Sequence, residues 1–564
     1  MKIDESIIDG YENTEMYTYS ELIDRGFDVT AYDGLPDNCA TGVLKANYYA
    51  DGKLVQLYSE RDSHVGVIAA TRQGKTTSYV IPTILSFAHR KTKCGMMISD
   101  PKGELYRLTA DRLAKEGYDV KLVNFRDSSH SECWNPLTPV FRKYRRAVEV
   151  AEEVRLVQTP DGYRNEFRGK VYNSQENLDS DLEREKRLRL DEVAGLIDNV
   201  AQVFVTTPEK ANVDPYWTDS ARDVLKAFLW AMLEDSDLPP NKNPVTEDTF
   251  SFNTIIGIVA TFRDGDDTDY NDGGYFSARG ENSRAFVIAK NTILENGKPT
   301  RKCIMAVFMT QLSPFYDMTM RRITSCNTFE LCSLYGGERP VAVFIAYRDE
   351  LKIHYRIISQ LVQSAYSGMI EYANRLPDGK LSVPFYFVLD EFGNFPRITD
   401  FETVISACGG RNIYFILILQ SYAQLDNVYQ SEVAEIIRDN LNVHVFFGSN
   451  NPKTLELFSA ECGKRTRISP LSALNGKSAD IDNFQLETIP LVPVSRLSRL
   501  AEGECIVTEA NSGYVLISSM VRYFRCKEFD SLVKISDADY RCPVDTFDPK
   551  YEYRYTRNSV RGLF

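Results

Sequence analysis

The sequence lacks the features that mark secreted, membrane-spanning and zinc-binding chains. No apolar stretch approaches the roughly 20 residues needed to cross a bilayer, and the acidic start MKIDESIIDGYENTEMY has no signal-peptide character. The 11 cysteines form no CxxC pair and the 5 histidines lie far apart, so no zinc site is expected. An odd cysteine count without a secretory signal favours reduced thiols in the cytosol. Any membrane association is expected to come through a partner.

An excess of positive charge is also missing. The chain has 66 Lys and Arg against 79 Asp and Glu, which gives a net charge of −13. This balance excludes a surface coated with phosphate-binding side chains, so any nucleic-acid contact must be confined to a local basic lining such as a pore or cleft. With 564 residues, 43% of them hydrophobic and 26% charged, the chain is predicted to fold into two to four globular units.

Short apolar runs alternate with helical patterns near the start of the chain. The runs His64–Ala69, Gly95–Ser99 and Val120–Phe125 are separated by helix-like segments at Thr77–His89 and Leu105–Gly117. Strand, helix, strand, helix and strand in this order predict a parallel α/β sheet.

The middle of the chain has a different texture, with long amphipathic helices at Leu182–Val205 and Trp217–Leu233. Apolar strand patterns then return, at Val341–Tyr347, Phe385–Leu389, Ile413–Leu419 and Val443–Gly448. We therefore predict one nucleotide-binding α/β core that is interrupted by an all-α insertion. The predicted segments are an N-terminal polar segment at 1–60, the core at 61–141 and 340–530, the insertion at 142–339 and a tail at 531–564.

Residues Ala69 to Thr76 read AATRQGKT, which matches the A-x-x-x-x-G-K-T form of a phosphate-binding loop. The loop lies between an apolar strand and an amphipathic helix, where backbone amides and the helix dipole favour an anion. Lys75 is predicted to reach the outer phosphates of ATP, and the Thr76 hydroxyl to bind Mg²⁺. The predicted nucleotide-binding residues are Ala69, Thr71, Arg72, Gln73, Gly74, Lys75, Thr76 and Thr77. The alternative is a chance loop with a surface lysine.

An acidic pair ends the later strand in FYFVLDE. Asp390 is predicted to hold the magnesium shell, and Glu391 to polarise the attacking water. We expect the Lys75 loop and these two acids to lie on adjoining strands around one Mg²⁺. The alternative is a solvated strand end.

Three further segments carry candidate groups. Gln420 ends the strand in LILQSY and is predicted to sense the γ-phosphate or the water, or else to cap the strand. Arg411, in GGRN, is either an arginine finger for a neighbouring subunit or a surface arginine in an ordinary ion pair. In the DPKGE segment, Asp100 or Lys102 is expected to support the phosphate site, against the alternative of a turn with solvated charges.

Taken together, these motifs resemble the type IV secretion coupling proteins, the TraG-like ATPases of conjugation. The similar segments are HVGVIAATRQGKTTSYVIPTIL, ISDPKGELY, YWTDSARDVLKAFLWAM, FYFVLDEFGNFPRI, GGRNIYFILILQSYAQL and the end of the core at Glu502–Phe524. The resemblance runs in order from about Gly42 to Phe524. The sequence departs from the family at Ala69 and Ala70, where Gly and Pro are usual, and in lacking the N-terminal membrane helices.

The resemblance implies a RecA-like motor domain with a small all-α domain that assembles as a homo-hexamer. It implies that ATP hydrolysis with Mg²⁺ helps to deliver relaxase-bound single-stranded DNA, or effector proteins, to a type IV secretion channel. It implies roles for Lys75 and Thr76 at the phosphates and Mg²⁺, for Asp390 and Glu391 in hydrolysis, for Arg411 as the finger and for Gln420 as the sensor. The expected location is the cytoplasmic face of the membrane, through partners or a missing N-terminal anchor.

Two other functions stay open at this point. One is an ATP-dependent receptor for protein effectors that handles no DNA. The other is an adaptor that binds nucleotide without hydrolysing it, against which the intact Lys75, Thr76, Asp390 and Glu391 argue.

Overall fold

The computed structural model describes most of the chain. The described residues are 15–24, 30–33, 41–50, 52–160, 162–206, 214–264, 270–271, 274–470, 484–529 and 532–540. Most of the predicted tail at 531–564 lies outside these ranges. The contacts divide the described chain into two units, a sheet unit within 15–126 and 330–540 and a helical unit within 127–329.

The strands and helices are numbered here in chain order. The strands are β1 Glu15–Tyr17, β2 Thr30–Asp33, β3 Leu44–Ala50, β4 Lys53–Tyr58, β5 Val65–Ala69, β6 Gly95–Asp100, β7 Asp119–Asn124, β8 Arg155–Thr159, β9 Gly162–Phe167, β10 Lys170–Tyr172, β11 Arg263–Asp264, β12 Tyr270–Asn271, β13 Val341–Ala346, β14 Phe385–Leu389, β15 Ile413–Leu419, β16 Val443–Gly448, β17 Lys464–Pro470, β18 Phe484–Pro490, β19 Glu504–Glu509 and β20 Tyr514–Ser519. The α-helices are α1 Tyr19–Asp24, α2 Ile81–His89, α3 Glu104–Lys115, α4 Thr138–Val148, α5 Gln175–Phe204, α6 Pro215–Asp235, α7 Phe252–Val259, α8 Arg284–Ala289, α9 Lys298–Leu312, α10 Met318–Ile323, α11 Ser333–Gly336, α12 Tyr355–Ala373, α13 Phe401–Cys408, α14 Ala423–Tyr429, α15 Ser431–Asp439, α16 Pro452–Glu461 and α17 Val494–Leu497.

The sheet unit is built on a ten-stranded sheet in the order β1-β20-β19-β16-β5-β15-β14-β6-β13-β7. The seven strands from β16 to β7 are all parallel, while β19 and β20 add an antiparallel edge. The predicted α/β fold with a mainly parallel sheet is confirmed.

The apolar composition of these strands explains their central place. Every residue of β5, β6, β13, β14, β15 and β16 is buried, as expected for parallel strands covered on both faces. The strands predicted at Phe385–Leu389, Ile413–Leu419 and Val443–Gly448 have those same bounds in the structure. Long apolar runs without helical periodicity therefore sufficed to locate the core of the sheet.

The parallel arrangement gives the sheet two chemically distinct edges. The carboxyl ends of β5, β6, β14 and β15 lie along one edge, and their amino ends lie along the other. In open α/β sheets, ligands bind beyond the carboxyl ends. Apart from Arg411, which precedes β15, the candidate groups lie at the ends of these four strands and in the segments after them.

The described residues of the predicted N-terminal segment are part of the sheet unit. β1 pairs with β20 at the edge of the large sheet, and β3 and β4 form a small antiparallel sheet with β2. Leu44, Leu54 and Leu57 are buried in the same apolar core as β5 and α2. These residues pack with the large sheet because their apolar side chains complete its core.

The helical unit contains α4 to α10. α6 is its most buried helix: Ala227, Phe228, Leu229, Ala231, Met232 and Leu233 have no exposed surface. The long helices predicted at Leu182–Val205 and Trp217–Leu233 correspond to α5 and α6. This unit is not entirely helical, because β8, β9 and β10 form a three-stranded antiparallel sheet that the sequence analysis did not predict.

The boundaries between the units differ from the predicted positions. They fall at 126/127 and 329/330, whereas the sequence placed them at 141/142 and 339/340. The reason at the first boundary is that α4 packs against α5, so its residues join the helical unit. None of the helices in the described ranges is long and apolar enough to cross a bilayer.

Candidate nucleotide site at the carboxyl edge of the sheet

The loop after β5 is fastened at its start by one backbone amide. Ala70 N donates to Gly448 O at 3.0 Å and to Gln73 Oε1 at 2.8 Å. Gly448 has φ +133°, a conformation that glycine adopts without strain, and its missing side chain leaves room for the end of the Gln73 side chain. The end of β16 therefore holds the base of the loop in place.

The loop then turns directly into a helix. Gly74 has φ +83°, and its carbonyl accepts hydrogen bonds from Ser78 N at 2.7 Å and Thr77 Oγ1 at 3.1 Å. The first turn, Thr76–Val80, is a π-helix that continues into α2, and such turns are frequent at functional sites. This helix begins directly after the loop at the carboxyl edge, where a helix N-terminus favours an anion.

Lys75 brings its buried ammonium group to the two predicted acids. Its Nζ lies 3.8 Å from Asp390 Oδ1 and 3.6 Å from Glu391 Oε1. Among the described residues this nitrogen finds no hydrogen-bond partner. A buried cation with ion pairs but no hydrogen bond is suited to receive an anion that supplies the missing acceptors.

Backbone contacts fix the positions of the two acids. Ser99 Oγ donates to Asp390 O at 2.9 Å, and Glu391 N donates to Asp390 Oδ1 at 3.0 Å. Glu391 has φ +54°, a left-handed conformation that is uncommon for a non-glycine residue and frequent at active sites. Burial raises the pKa of Asp390, while the charge of Lys75 opposes this rise. A cation near Asp390 would favour its ionised form.

The expectation that the Lys75 loop and the acids lie on adjoining strands is wrong. β15 lies between β5 and β14, with Leu389 beside Leu417 and Leu419 beside Ile68. The two groups still meet because Lys75 reaches past the end of β15. The sequence shows that β15 follows β14 along the chain. It does not show on which side of β14 this strand lies, and in the structure that side is the one facing β5.

Gln420 lies directly after this intervening strand. Thr71 Oγ1, in the phosphate-binding loop, donates to Gln420 Oε1 at 3.3 Å. The Gln420 backbone is held by Gln424 Oε1, which accepts from its amide at 2.8 Å, and by Ser449 Oγ, which donates to its carbonyl at 3.3 Å. The Gln420 side chain thus links the end of β15 to the loop.

The DPKGE segment after β6 also reaches the site. Lys102 Nζ lies 3.3 Å from Glu391 Oε1. Asp100 is buried and accepts a hydrogen bond from Tyr106 N at 2.9 Å. Burial is the main cause that raises the pKa of Asp100, to about 7. The nearby charge of Asp390 is one of the smaller effects that also raise it. Both candidates of this segment lie at the carboxyl edge.

Arg411 lies at the opposite, amino edge, just before β15. The seven residues of β15 separate it from Gln420 by roughly 20 Å. Its Nη1 donates to Ala407 O at 2.7 Å and its Nε to Asn374 Oδ1 at 3.2 Å. Arg411 is therefore not in the nucleotide site of its own chain.

Sequence analysis missed Arg522, which follows β20. A Cβ on Gly74 would lie 3.4 Å from Arg522 Nε, so the guanidinium borders the phosphate-binding loop. Arg522 Nη2 pairs with Glu502 Oε1 at 2.7 Å. No spacing or motif indicates this position, because it depends on the turn after the last strand of the sheet.

The donor set fits a nucleoside triphosphate with Mg²⁺. Gly74 lacks a side chain where the loop turns, and no described residue offers an acceptor to the ammonium of Lys75. The hydroxyl of Thr76 and the carboxylate of Asp390 are the hard oxygen ligands that Mg²⁺ prefers. Mg²⁺ would supply charge neutralisation at the outer phosphates.

A phosphate-binding loop that meets an acidic pair across one intervening parallel strand defines the RecA-like class of P-loop folds. The chain belongs to the family of conjugative DNA transfer proteins of the type IV secretory system, because the profile of that family matches residues 19–539.

Individual relatives give the same result. The conjugal transfer protein TraG of Escherichia coli is 23% identical over 437 residues, which cover 76% of this chain and 59% of TraG. VirD4 of Agrobacterium fabrum is 21% identical over 72% of this chain and 50% of its own length. This chain therefore spans between half and three fifths of these two relatives.

Solved structures show the same fold. The plasmid coupling protein TrwB in complex with ADP and Mg²⁺ has a TM-score of 0.55 at 14% identity, over 93% of this chain and 95% of that one. The conjugative coupling protein TrwB in a trigonal form with sulphate has a TM-score of 0.56 at 13% identity, over 93% of this chain and 94% of that one. At these identities the likeness establishes the RecA-like fold.

Proposed function

We propose that this chain is the ATP-hydrolysing coupling protein of a conjugative type IV secretion system. The observation that carries the proposal is the meeting of Lys75 Nζ with Asp390 at 3.8 Å and Glu391 at 3.6 Å, in a chain of this family. The TrwB structure with ADP and Mg²⁺ supports the choice of nucleotide and metal.

The loop residues bind the phosphates in this proposal. The loop amides and Lys75 hold the outer phosphates of ATP, and Thr76 and Asp390 provide oxygen ligands for Mg²⁺. Lys75 then exchanges its two carboxylate neighbours for phosphate oxygens, which supply the hydrogen-bond acceptors that the buried nitrogen lacks in the described chain.

Glu391 is the proposed base. Its carboxylate accepts a proton from the water whose oxygen attacks the γ-phosphorus, while the bond from that phosphorus to the oxygen of ADP breaks and the proton passes on to the phosphate. Gln420 is the proposed sensor of the γ-phosphate, and its hydrogen bond with Thr71 at 3.3 Å supports this role. Loss of that phosphate would change the contact and signal hydrolysis to the segment after β15.

The proposed cargo is single-stranded DNA bound to a relaxase, which is moved to the secretion channel at the cytoplasmic face of the membrane. The family match and the conjugal transfer protein TraG support this cargo. With a net charge of −13, the DNA contacts must be local, and a homo-hexameric ring with a basic inner lining satisfies this condition. In such a ring Arg411 serves the nucleotide of a neighbouring subunit.

Steady-state ATP turnover with Mg²⁺, with and without single-stranded DNA, tests the proposal. Wild type is expected to hydrolyse ATP and to do so faster with DNA at low salt. Glu391→Gln is expected to bind nucleotide with unchanged affinity and to lose turnover by about a hundredfold or more, because the amide cannot accept the proton.

Each alternative function predicts a different result. Nucleotide binding without turnover, in wild type as in Glu391→Gln, would identify a non-hydrolysing adaptor, and equal measurable turnover of the two would show that Glu391 is not the base. Normal ATP turnover in a protein that does not bind single-stranded DNA, and whose turnover DNA does not change, would instead favour a receptor for protein effectors. Either alternative function would end the proposal of a DNA-moving ATPase.

A further inference from the structure

One oxygen of Glu391 is shared between two lysines. Glu391 Oε1 lies 3.6 Å from Lys75 Nζ and 3.3 Å from Lys102 Nζ. Lys75 is buried in the phosphate-binding loop, whereas Lys102 approaches from the turn after β6 and its side chain is 59% exposed. The two lysines therefore reach the same carboxylate from different elements.

The turn that carries Lys102 is held firmly. Arg107 donates to the carbonyl oxygens of Gly103 at 2.6 Å and Lys102 at 2.7 Å, and Arg126 Nη1 donates to Pro101 O at 2.8 Å. Gly103 has φ +67°, which this turn requires and which glycine adopts without strain. Three arginine–carbonyl hydrogen bonds thus fix the backbone from which the Lys102 side chain extends.

The environment of this contact differs from that of a surface ion pair. The Glu391 side chain is only 10% exposed, although that of Lys102 is largely in solvent. Burial alone would lower the pKa of Lys102, but the charge of Glu391 and the hydrogen bond to it outweigh burial and raise that pKa. A fully exposed ion pair would contribute little to stability. An ion pair with one buried partner also fixes the direction in which the buried side chain points.

We propose that Lys102 is a positioning residue, which keeps the Glu391 carboxylate aimed at the attacking water once ATP phosphates have engaged Lys75. This inference rests on the proposed ATPase function. Phosphate binding removes Lys75 from Glu391 Oε1, and a carboxylate beside a triphosphate would then be repelled by like charge. Lys102 is the cation that stays in place, because its turn is fixed independently of the loop.

Kinetics of Lys102→Met and Lys102→Arg in the full chain test the inference. Methionine keeps the length of the side chain and removes the charge, while arginine keeps the charge. Lys115→Met is the matched control. Lys115 lies on α3, where its Nζ is 2.7 Å from Asp111 Oδ2, and it is not part of the site. The measurements are kcat and KM for ATP, and the Kd of a fluorescent ATP analogue.

Lys102→Met is expected to lower kcat by about tenfold with KM and Kd within about twofold of wild type, since only the orientation of the base is lost. Lys102→Arg should recover kcat to within about threefold, and Lys115→Met should match wild type. An unchanged kcat in Lys102→Met would overturn the inference. So would a raised KM and Kd at constant kcat, because Lys102 would then bind nucleotide instead of acting through Glu391.

The failure of this inference can be distinguished from failure of the proposed function. If wild type hydrolyses ATP and Lys102→Met does so equally well, only the role of Lys102 is refuted. If wild type itself shows no turnover with Mg²⁺ and single-stranded DNA, the ATPase proposal fails and the role of Lys102 fails with it.

Discussion

The two edges of the large sheet use charge in opposite ways. At the carboxyl edge, Lys75 faces Asp390 and Glu391 at 3.6–3.8 Å, and its nitrogen has no hydrogen bond within the described ranges. At the amino edge, Asp62 Oδ1 accepts from Arg90 Nη1 at 3.0 Å and from Tyr386 OH at 2.6 Å. Lys75 approaches its two carboxylates without a hydrogen bond from its nitrogen to any described residue, whereas Arg90 and Tyr386 are hydrogen-bonded to Asp62.

This difference separates the proposed binding site from a structural network. Each edge holds buried lysine or arginine beside a carboxylate, so burial and charge alone do not distinguish them. A cavity of about 560 Å³ also lies at the amino edge, lined by Lys45, Glu60, Arg61, Asp62 and Glu509 among others. Lys45 is already bonded to Glu509 at 2.7 Å, and the three carboxylates of this lining do not favour a phosphate.

The largest effect is expected at Arg411, which lies at the amino edge and is the proposed finger for a neighbouring subunit's site. Arg411→Ala should lower ATP turnover by about a thousandfold or more and leave the Kd of nucleotide within about twofold, since a finger stabilises only the transition state. The measurement is turnover beside nucleotide binding. Mixing Arg411→Ala with Glu391→Gln subunits should restore part of the turnover, because some interfaces then hold both intact groups.

Arg375→Ala is the control for this comparison. Arg375 directly follows Asn374, which Arg411 contacts, and it is exposed and pairs with Glu371. It should leave turnover unchanged. Weakened nucleotide binding in Arg411→Ala would place this arginine in the site of its own chain, and full turnover would make it an ordinary surface arginine.

The next effect concerns stability at the amino edge. Asp62→Ala leaves the fully buried guanidinium of Arg90 stacked on Phe87 without its carboxylate partner. Removing one member of a buried pair costs about 3–5 kcal/mol, so the free energy of unfolding in urea should fall by that amount.

Asp111→Ala provides the exposed counterpart, because Asp111 pairs with Lys115 on the surface of α3. It should change the free energy of unfolding by less than about 0.5 kcal/mol. If Asp62→Ala is equally mild, the amino edge does not depend on its hydrogen-bonded charges, and the contrast between the two edges loses its physical basis.

The smallest effect is a pH dependence at the carboxyl edge. Burial raises the pKa of Asp100 from 3.8 to about 7, so the folded chain retains a proton that the unfolded chain has lost. The stability from this carboxyl is fully present below pH 3.8 and is lost as the pH rises through about 7. The amide introduced by Asp100→Asn cannot titrate, although its oxygen can still accept a hydrogen bond from Tyr106 N.

For Asp100→Asn, the free energy of unfolding relative to wild type should therefore rise with pH across this window, by at most about 1.4 kcal/mol per pH unit. Urea unfolding at several pH values, without nucleotide or metal, measures this difference. A difference that stays constant with pH would show that Asp100 is ionised in the folded chain.

The sequence predicted which residues lie at the carboxyl edge better than it predicted how these residues are arranged there. The strand ending at Leu389, the loop with Lys75 and the position of Gln420 follow from local patterns, because apolar strands and glycine-containing turns are set by neighbouring residues. The insertion of β15 between β5 and β14 is a matter of strand order, which no local pattern encodes.

Contacts between distant segments were equally hidden. Lys102 and Glu391 are 289 positions apart by number, and their contact at 3.3 Å arises because β6 and β14 pair in parallel with Ser99 beside Leu389. Arg522 borders Gly74 through a turn that follows the last strand. Residue types at strand ends indicated the kind of site, and only the strand order determined which of them meet.

The most direct test is a structure of the full chain with Mg²⁺ and a non-hydrolysable ATP analogue. The predicted result has the outer phosphates within hydrogen-bonding distance of Lys75 Nζ, the metal bound by Thr76 and Asp390, and Glu391 still in contact with Lys102. Nucleotide bound in the amino-edge cavity, or phosphates placed away from Lys75, would contradict the claim that the carboxyl edge is one ATP site.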